Sequence, residues 1–424
     1  MNHSFLIGCV ADDFTGASDA ASFLMAGGLK TILFNGIPPT DQIPDDVGAV
    51  VIALKTRTQE TRCAVEDSLA AMSWLRKRGC KQLYIKYCST FDSTPQGNIG
   101  PICDAALELC GAAYTLLCPS LPANGRTVRD GHLFVNGQPL HETPMRNHPL
   151  TPMWDSFIPR LLRDQSRYPC YLLSRDLLLQ GTPAVLSHLE ALQAENARFY
   201  LVPDYETEAD ARVIASLFGT QPLLTGGSGL LESLGRIHLG EAQVVADPPP
   251  TGQGKAIILA GSCSAATQGQ VDYYLQHLGR GIMVQPEALL SGAETAKTIW
   301  DRAERLAADA NHVLLYSSGS GGSTVERTDE GRAAEALEAT MAALARLAAD
   351  CGYTRIIVAG GETSGAVTKA LGLSAYRIGP SIAPGVPIMR PLGNDTMQLV
   401  LKSGNFGQQD FFHRALALTE GASL

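Results

Sequence analysis

The stretch FLIGCVADDFTGASDAASFLMAGG, residues 5–28, decides how the chain folds. Its first seven residues are apolar or glycine without interruption. A strand with one wet face would alternate, so a run without alternation is covered on both faces. Asp12 and Asp13 stop the run, Thr15 and Gly16 follow, and ASDAASFLMAGG continues with helical composition. Strand, polar turn and helix in this order open a parallel βα unit. Two carboxylates at a strand end are costly to bury unless they are partnered. Adjacent strand residues point to opposite faces, so one aspartate faces a ligand while the other caps or braces the turn. A carboxylate in that place can bind substrate hydroxyls or take a proton from one. Two plain turn-forming aspartates would read the same way, and these residues alone leave both open.

The same pattern recurs along the chain. Apolar runs predict strands at 31–35, 49–54, 82–87, 114–119 and 199–203, then at 256–260, 312–316, 355–359 and 397–402. Helical spacing of Val65, Leu69 and Met72 predicts a helix over 60–78. Leu337, Met341, Leu344 and Leu347 form a second stripe, and Ile299, Ala303 and Leu306 a third. RTVRDGHLFVNGQPL, residues 126–140, carries Asp-Gly and Asn-Gly pairs and reads as a β-hairpin excursion. ADPPPTGQGK contains three consecutive prolines that fit neither a helix interior nor a central strand. The expected architecture is therefore α/β: two α/β domains with mainly parallel sheets, residues 1–245 and 255–424. The linker is 246–254, and the cleft between the domains is the default ligand site.

Ligands of such sheets bind beyond the carboxyl ends of strands. In the first half those ends carry Asp12 and Asp13, then Lys55-Thr56-Arg57, then Lys86 followed by Cys88-Ser89-Thr90-Phe91-Asp92-Ser93-Thr94 and Asn98. Cations there suit a carboxylate-bearing ligand, and the short polar side chains suit a polyhydroxylated one. A solvated cation pair and a Ser/Thr-rich turn would look alike. Asn124-Gly125-Arg126 reads better as a surface turn into the hairpin. In the second half four strands run into Gly/Ser loops: Gly261-Ser262-Cys263-Ser264, Ser317–Ser323, Gly360-Gly361-Glu362-Thr363-Ser364-Gly365 and Ser403-Gly404-Asn405-Phe406-Gly407. Glycine lets backbone amides approach a phosphate, and a helix start adds partial positive charge. Neither GxxxxGK[ST] nor GxGxxG after a first strand occurs, which excludes the P-loop and disfavours a dinucleotide fold.

Composition narrows the function classes. The 424 residues carry Lys+Arg 33 against Asp+Glu 42, net −9, with 6% aromatics. That is poor material for neutralising phosphate backbones or stacking bases, so no nucleic-acid partner is expected. No apolar run nears the roughly 18 residues that span a bilayer, and MNHSFLIGCVADD has no basic leader, so the expectation is a cytoplasmic protein with no membrane partner. The ten cysteines form no CxxC pair and read as reduced thiols. No HExxH or HxxxH occurs, which argues against a histidine metal site.

ADDFTGASDA, CSTFDSTPQGNIGP, VAGGETSGAV and LVLKSGNFG together resemble the four-carbon acid sugar kinases, along the whole chain and in order. The resemblance implies an N-terminal sugar-acid-binding domain and a C-terminal nucleotide-binding domain. It implies ATP contacts at Ser262, Gly360, Gly361, Glu362, Thr363 and Gly404. On the substrate side it implies Arg57, Lys86, Ser89, Asp92 and Asn98, with catalysis from Asp12 or Asp13. ATP is the expected cosubstrate with Mg2+, whose protein ligands stay open, Glu362 being a candidate. Relatives acting on D-threonate or D-erythronate have an IDSTLRGNIG-like stretch where this chain has Phe91-Asp92 inserted and no arginine before Gly97. That is similar to the branch of the family that phosphorylates the 4-hydroxyl of 3-oxo-tetronate. D-threonate or D-erythronate 4-phosphorylation is the alternative, and an NAD(P)-dependent hydroxy-acid dehydrogenase the alternative from another class. The partner is a small-molecule sugar acid, and a homo-oligomer is compatible with the sequence.

Overall fold

A computed structural model describes residues 5–39, 43–148, 151–240, 252, 254–308, 310–317 and 330–421. The chain divides into two compact units, Met1–Ala246 and Asp247–Leu424. The expected linker, 246–254, lies outside the described residues except at 252 and 254.

The first unit opens with β1 (Ile7–Ala11), α1 (Phe14–Ala26), β2 (Thr31–Asn35), β3 (Ala49–Ala53), α2 (Thr61–Lys77), β4 (Gln82–Lys86), α3 (Ile99–Cys110) and β5 (Tyr114–Cys118). A small excursion follows: β6 (Arg126–Arg129), β7 (His132–Val135) and β8 (Gln138–Pro139). Then come α4 (Ile158–Arg163), β9 (Cys170–Leu173), α5 (Arg175–Leu179), α6 (Thr182–Glu195), β10 (Phe199–Pro203), α7 (Glu208–Phe218), β11 (Leu223–Gly226) and α8 (Leu231–Leu239). The strands of its main sheet lie in the order β2-β3-β1-β4-β11-β5-β10-β9, and every neighbouring pair is parallel. The chain leaves β1 toward β2 on one side and leaves β4 toward β5 on the other. The two adjacent strands β1 and β4 thus flank a topological switch point, the place where an open α/β sheet leaves a crevice.

Local chemistry explains the elements. β1 is buried at all five positions, as its unbroken apolar run requires. Asp13 caps α1: its backbone is extended and its carboxylate accepts from the Gly16 N–H at 2.6 Å. α3 stops at Gly111, whose φ of 63° is the left-handed turn that glycine adopts freely. The hairpin expected over 126–140 is present as β6-β7-β8, with Arg129 opposite His132. Asp130 and Gly131 form its turn at φ 52° and 74°, the pairing a tight hairpin favours.

The second unit contains β12 (Lys255–Ala260), α9 (Ala265–His277), β13 (Gly281–Val284), α10 (Pro286–Leu290), α11 (Ala296–Leu306), β14 (His312–Ser317) and α12 (Glu330–Asp350). It continues through β15 (Tyr353–Ala359), α13 (Gly361–Ala370), β16 (Ala375–Ala383), β17 (Val386–Pro391), β18 (Gln398–Lys402) and α14 (Phe411–Glu420). Strands β13-β14-β12-β15-β18 run parallel, and β17 and β16 extend the sheet antiparallel. Ile258, Leu314, Ile357, Val400 and the Phe411–Phe412 pair form its core. No helix among the described residues is long and apolar enough to cross a membrane.

Helix faces differ in detail from the sequence reading. α2 buries Ala64, Ser68, Ala71, Met72 and Leu75, whereas Val65 and Leu69 lie at the margin of that stripe. Small residues face the sheet because they let the helix approach closely. Leu306 and Leu347 are likewise marginal, and Ala307 and Ala348 are the buried neighbours.

β11 settles between β4 and β5 through glycine. A Cβ on Gly226 would lie 2.2 Å from the Cys118 carbonyl oxygen and 2.7 Å from the Tyr84 hydroxyl. Gly226→Ala should therefore lower stability by about 1–3 kcal/mol, read as a lower denaturant midpoint. Gly331→Ala, on an exposed stretch of α12 with open space around it, should be neutral or stabilising. Equal effects at both positions would show that packing against β5 is not the reason for the glycine.

Candidate active site

The carboxyl edge of the first sheet gathers charge. Arg57 donates to Asp12 through Nε at 2.8 Å and Nη2 at 2.9 Å, and its Nη2 lies 3.0 Å from Asp13 Oδ2. The guanidinium is committed to both aspartates, and an incoming carboxylate would have to compete with them. Burial raises Asp12, and Arg57 opposes that rise only in part. Burial also pushes on Asp13, but Arg57, Lys86 and the Gly16 N–H together hold it below the ordinary carboxylate value. The side chain of Asp12 is 11% exposed and that of Asp13 is 30% exposed, so Asp13 is the more reachable of the two.

Lys86 ends β4 and is buried, with Nζ donating to the Tyr87 carbonyl at 2.9 Å. Burial would lower it, yet Asp19, Asp12 and Asp13 outweigh that and hold it charged. Asn98 is buried and fully bonded: Nδ2 donates to the Thr56 and Gln59 carbonyls at 2.7 and 2.8 Å, and Oδ1 accepts from Thr61. It fixes the turn that presents Arg57. Asp92 accepts from the Thr90 hydroxyl at 2.6 Å. Phe91, between them, is buried at φ 52° with its ring edge-on to Tyr87. A bulky side chain in the left-handed region is uncommon and marks a constrained loop. Asp12, Arg57, Lys86, Asp92 and Asn98 line one cavity; Asp13 and Ser89 do not line it. Cys88 is beside them, but burial pushes its thiol up to about 12, so it is no nucleophile at neutral pH.

Two neighbours escaped the sequence reading. Asp19 lies one helical turn beyond Gly16 on α1, is buried, and accepts from the Ser228 hydroxyl. Its other oxygen, Oδ1, has no partner among the described residues. Ser228 belongs to Gly226-Gly227-Ser228-Gly229, a Gly/Ser turn after β11 of the same kind as those recognised in the second half. The apolar run Leu223-Leu224 is too short to draw attention to it.

In the second unit the ends of β12, β15 and β18, adjacent in the sheet, converge. The Gly261 and Ser262 amides both donate to the Ala359 carbonyl at 3.0 Å, and the Gly360 amide to the Lys402 carbonyl at 2.9 Å. A Cβ on Gly404 would lie 2.3 Å from Ser262 Oγ, and one on Gly261 2.2 Å from Thr363 Oγ1. Ser262, Gly360, Gly361, Thr363 and Gly404 are thus in one place, with the starts of α9 and α13 beside them. Helix starts and glycine amides are the groups from which anion sites are built. Glu362 stands exposed in the first turn of α13. Among the described residues no three His, Cys, Asp or Glu side chains gather as a metal cage. Of the Ser317–Ser323 loop only Ser317 is described.

Three residues in and beside these loops have a role the sequence hid. The Gly404 carbonyl accepts from Ser264 Oγ at 2.7 Å, Thr267 Oγ1 at 2.9 Å and Lys402 Nζ at 2.9 Å. Lys402 is buried, and burial pulls its ammonium down to about 7. Three donors on one carbonyl pin the loop.

Comparison with known proteins agrees with this division of labour. Residues 7–234 match the model of a sugar-binding N-terminal domain, and residues 257–412 that of a nucleotide-binding C-terminal domain. A Brucella melitensis protein named 3-oxo-tetronate kinase is 43% identical over 97% of this chain and 95% of its own length. One of the same name from Pectobacterium atrosepticum is 43% identical over 96% and 98%. A Salmonella typhimurium crystal structure, described as that of a candidate tRNA synthase, matches with a TM-score of 0.85 at 41% identity over 96% and 98%. The chain belongs to the four-carbon acid sugar kinase family, as ADDFTGASDA and the three other motifs led us to expect.

Asp19 supplies a pH signature. Burial lifts its carboxyl to about 6, against Lys86 and Ser228. An unfolded chain titrates at about 3.9, so the folded state holds this proton more tightly. The stability it contributes is complete below about pH 4 and lost as pH rises through about 6. Asp19→Asn removes that loss. The melting temperature of the variant relative to the parent should therefore rise between pH 4 and pH 7. A difference that stays flat or falls over that interval would refute the assignment.

Proposed function

We propose that the protein transfers the γ-phosphoryl group of ATP to the 4-hydroxyl of 3-oxo-tetronate. The observation that carries the chemistry is the contrast of two sheet edges. One is an anion site of glycine amides and helix starts, and the other a charged crevice at a switch point. The near-full-length relatives named 3-oxo-tetronate kinase supply the substrate. Magnesium is proposed to arrive on the triphosphate, since this ion characteristically binds through phosphates with one or two carboxylates.

Phosphoryl transfer asks mainly for positioning and charge stabilisation, with attacking and leaving oxygens in line. The second unit is proposed to hold the triphosphate on the Gly361 amide at the start of α13 and on the Gly404 amide, with Gly360 giving close approach while its own amide stays on the Lys402 carbonyl. Ser262 and Thr363 would add hydroxyls, and Glu362 would stand at the rim. The α9 and α13 starts stabilise negative charge there. In the first unit Asp13 is proposed to orient the substrate 4-hydroxyl and receive its proton. Asp13 is ionised at neutral pH and more exposed than Asp12. Arg57 fixes the pair and Lys86 offsets its charge. Ser89 and Asp92 are proposed to bond the remaining oxygens, with Asn98 setting the loop that carries Arg57. A cytoplasmic setting, where thiols stay reduced, suits ten cysteines that form no disulfide.

ADP release should appear with Mg·ATP and 3-oxo-tetronate and be far slower with D-threonate, D-erythronate or L-threonate. Preference for a plain threonate or erythronate would keep the chemistry and replace the substrate. Asp13→Asn should lower kcat by about 100-fold or more while the KM for ATP changes less than about threefold. Gly404→Ala, forced against Ser262 Oγ, should do the reverse, raising the KM for ATP and leaving that of the acid near its parent value. If both variants shift the same constant, the assignment of phosphate to one unit and acid to the other is wrong.

A further inference from the structure

The crevice of the first unit is short of positive charge for an acid substrate. Asp12, Asp13 and Asp19 act together on Lys86, and Arg57 is committed to Asp12 and Asp13. Three carboxylates thus face two cations, both engaged. A substrate carboxylate would add a fourth negative charge to a buried place, which is unfavourable without a further donor set.

That donor set lies two strands along the same edge. β11 separates β4 from β5, and neighbouring strands are about 4.8 Å apart, so the ends of β4 and β5 are about 10 Å apart. A four-carbon chain with one hydrogen bond at either end spans that gap. Beyond β5 the chain folds back on itself: Leu121 and Arg126 exchange backbone hydrogen bonds at 2.9 and 3.1 Å. In and just before this loop three buried side-chain atoms have no partner among the described residues: Ser120 Oγ, Asn124 Nδ2 and Arg126 Nε. Ser120 itself is wholly buried. All three can donate. Arg126 is close enough to Asp19 to act on its charge, yet no hydrogen bond joins them. Asp19 Oδ1 is the complementary orphan, a buried acceptor without a donor.

The Gly226–Gly229 turn joins these groups: Gly229 lies against Ser120, where a Cβ would come 2.4 Å from its carbonyl oxygen, and Ser228 donates to Asp19. Native proteins rarely leave buried polar atoms unmatched, and four around one turn call for a ligand that matches them. Three donors, one of them cationic, ask for a carboxylate, and the lone acceptor beside them asks for a hydroxyl. A carboxylate with a hydroxyl on the next carbon offers both.

We propose that Ser120, Asn124 and Arg126 form the carboxylate subsite of the substrate and that Asp19, held by Ser228, receives its 2-hydroxyl. The proposal rests on the kinase reading, which places the 4-hydroxyl at Asp13, and it moves recognition of the acid away from Arg57. It selects 2-hydroxy acids over ketoses of the same length.

The test compares 3-oxo-tetronate with erythrulose, the uncharged ketose in which CH2OH replaces the carboxylate. In Arg126→Ala, kcat/KM for the acid should fall about 100-fold or more, carried by KM, with the KM for ATP within about twofold. The rate on erythrulose should change far less, so the preference for acid over ketose collapses. Arg126→Lys should recover part of it, and Asn124→Ala should give a smaller loss of the same kind. Where Arg126→Ala proves unstable by thermal melting, Arg126→Lys and Asn124→Ala carry the comparison. If the parent enzyme ignores erythrulose, the acid KM decides: a tenfold or larger rise supports the subsite. An unchanged acid KM, or an acid-to-ketose preference that survives, overturns it. That result would mean that Arg126 merely balances the charge of Asp19. A parent enzyme that releases ADP with no acid would fail the kinase reading instead.

Discussion

Asp13 meets two demands with one carboxylate. The first turn of α1 has backbone N–H groups without partners, and Asp13 accepts one of them from Gly16. Arg57 needs an anion at the neighbouring strand end, and Asp13 shares that duty with Asp12. Removing either partner would leave a charge in a half-buried crevice. The geometry of β1, the start of α1 and the exit of β3 is therefore fixed by charge as well as by packing. Lys86, Asn98 and Asp19 are arranged around this node: Lys86 answers the carboxylates, Asn98 holds the turn behind Arg57, and Asp19 adds a third anion from the next turn of α1.

Much of this was legible in the sequence. An unbroken apolar run ending in Asp-Asp can only be a strand covered on both faces, whose polar end is exposed to a ligand or a turn. The strands at 7–11, 49–53, 82–86, 355–359 and 398–402 are where that reading places them. What the sequence hid has physical causes. β11 reveals only Leu223, Leu224 and Thr225 before its glycines, and β16 is interrupted by Gly379-Pro380, so neither shows a run long enough to read. Ala64, Ser68 and Ala71 make up much of the buried face of α2 beside Met72 and Leu75; they carry little hydrophobic signal although they set how closely the helix lies on the sheet. Missing β11 also meant missing Ser228, and with it the partner of Asp19.

The two edges offer their ligands different means of recognition. On the proposed reading the first unit would recognise its ligand by charged side chains, and so depend on partners from β1, β3 and β4 being held at fixed distances. The second would use backbone, and there side chains are excluded: at Gly261 and Gly404 a methyl group would strike Thr363 or Ser262. There the side chains serve the loop instead of the ligand. Lys402, Ser264 and Thr267 all donate to one carbonyl, that of Gly404, which fixes the loop.

Lys402 shows why this arrangement suits a phosphate. Burial without an ionic partner among the described residues draws its ammonium down to about 7, so near neutral pH it lies close to its own titration point. A polyphosphate brought to the adjacent amides would stabilise the charged form and draw a proton onto it. The same lysine would then hold the loop more firmly, because an ammonium donates more strongly to a carbonyl than a neutral amine does. On the proposed reading ligand charge and loop order would reinforce each other, with no contact between Lys402 and the ligand required. No such arrangement operates in the first unit, where Lys86 is already held charged by three aspartates. On the proposed reading the first edge is set before its ligand arrives, and the second would be tightened by it.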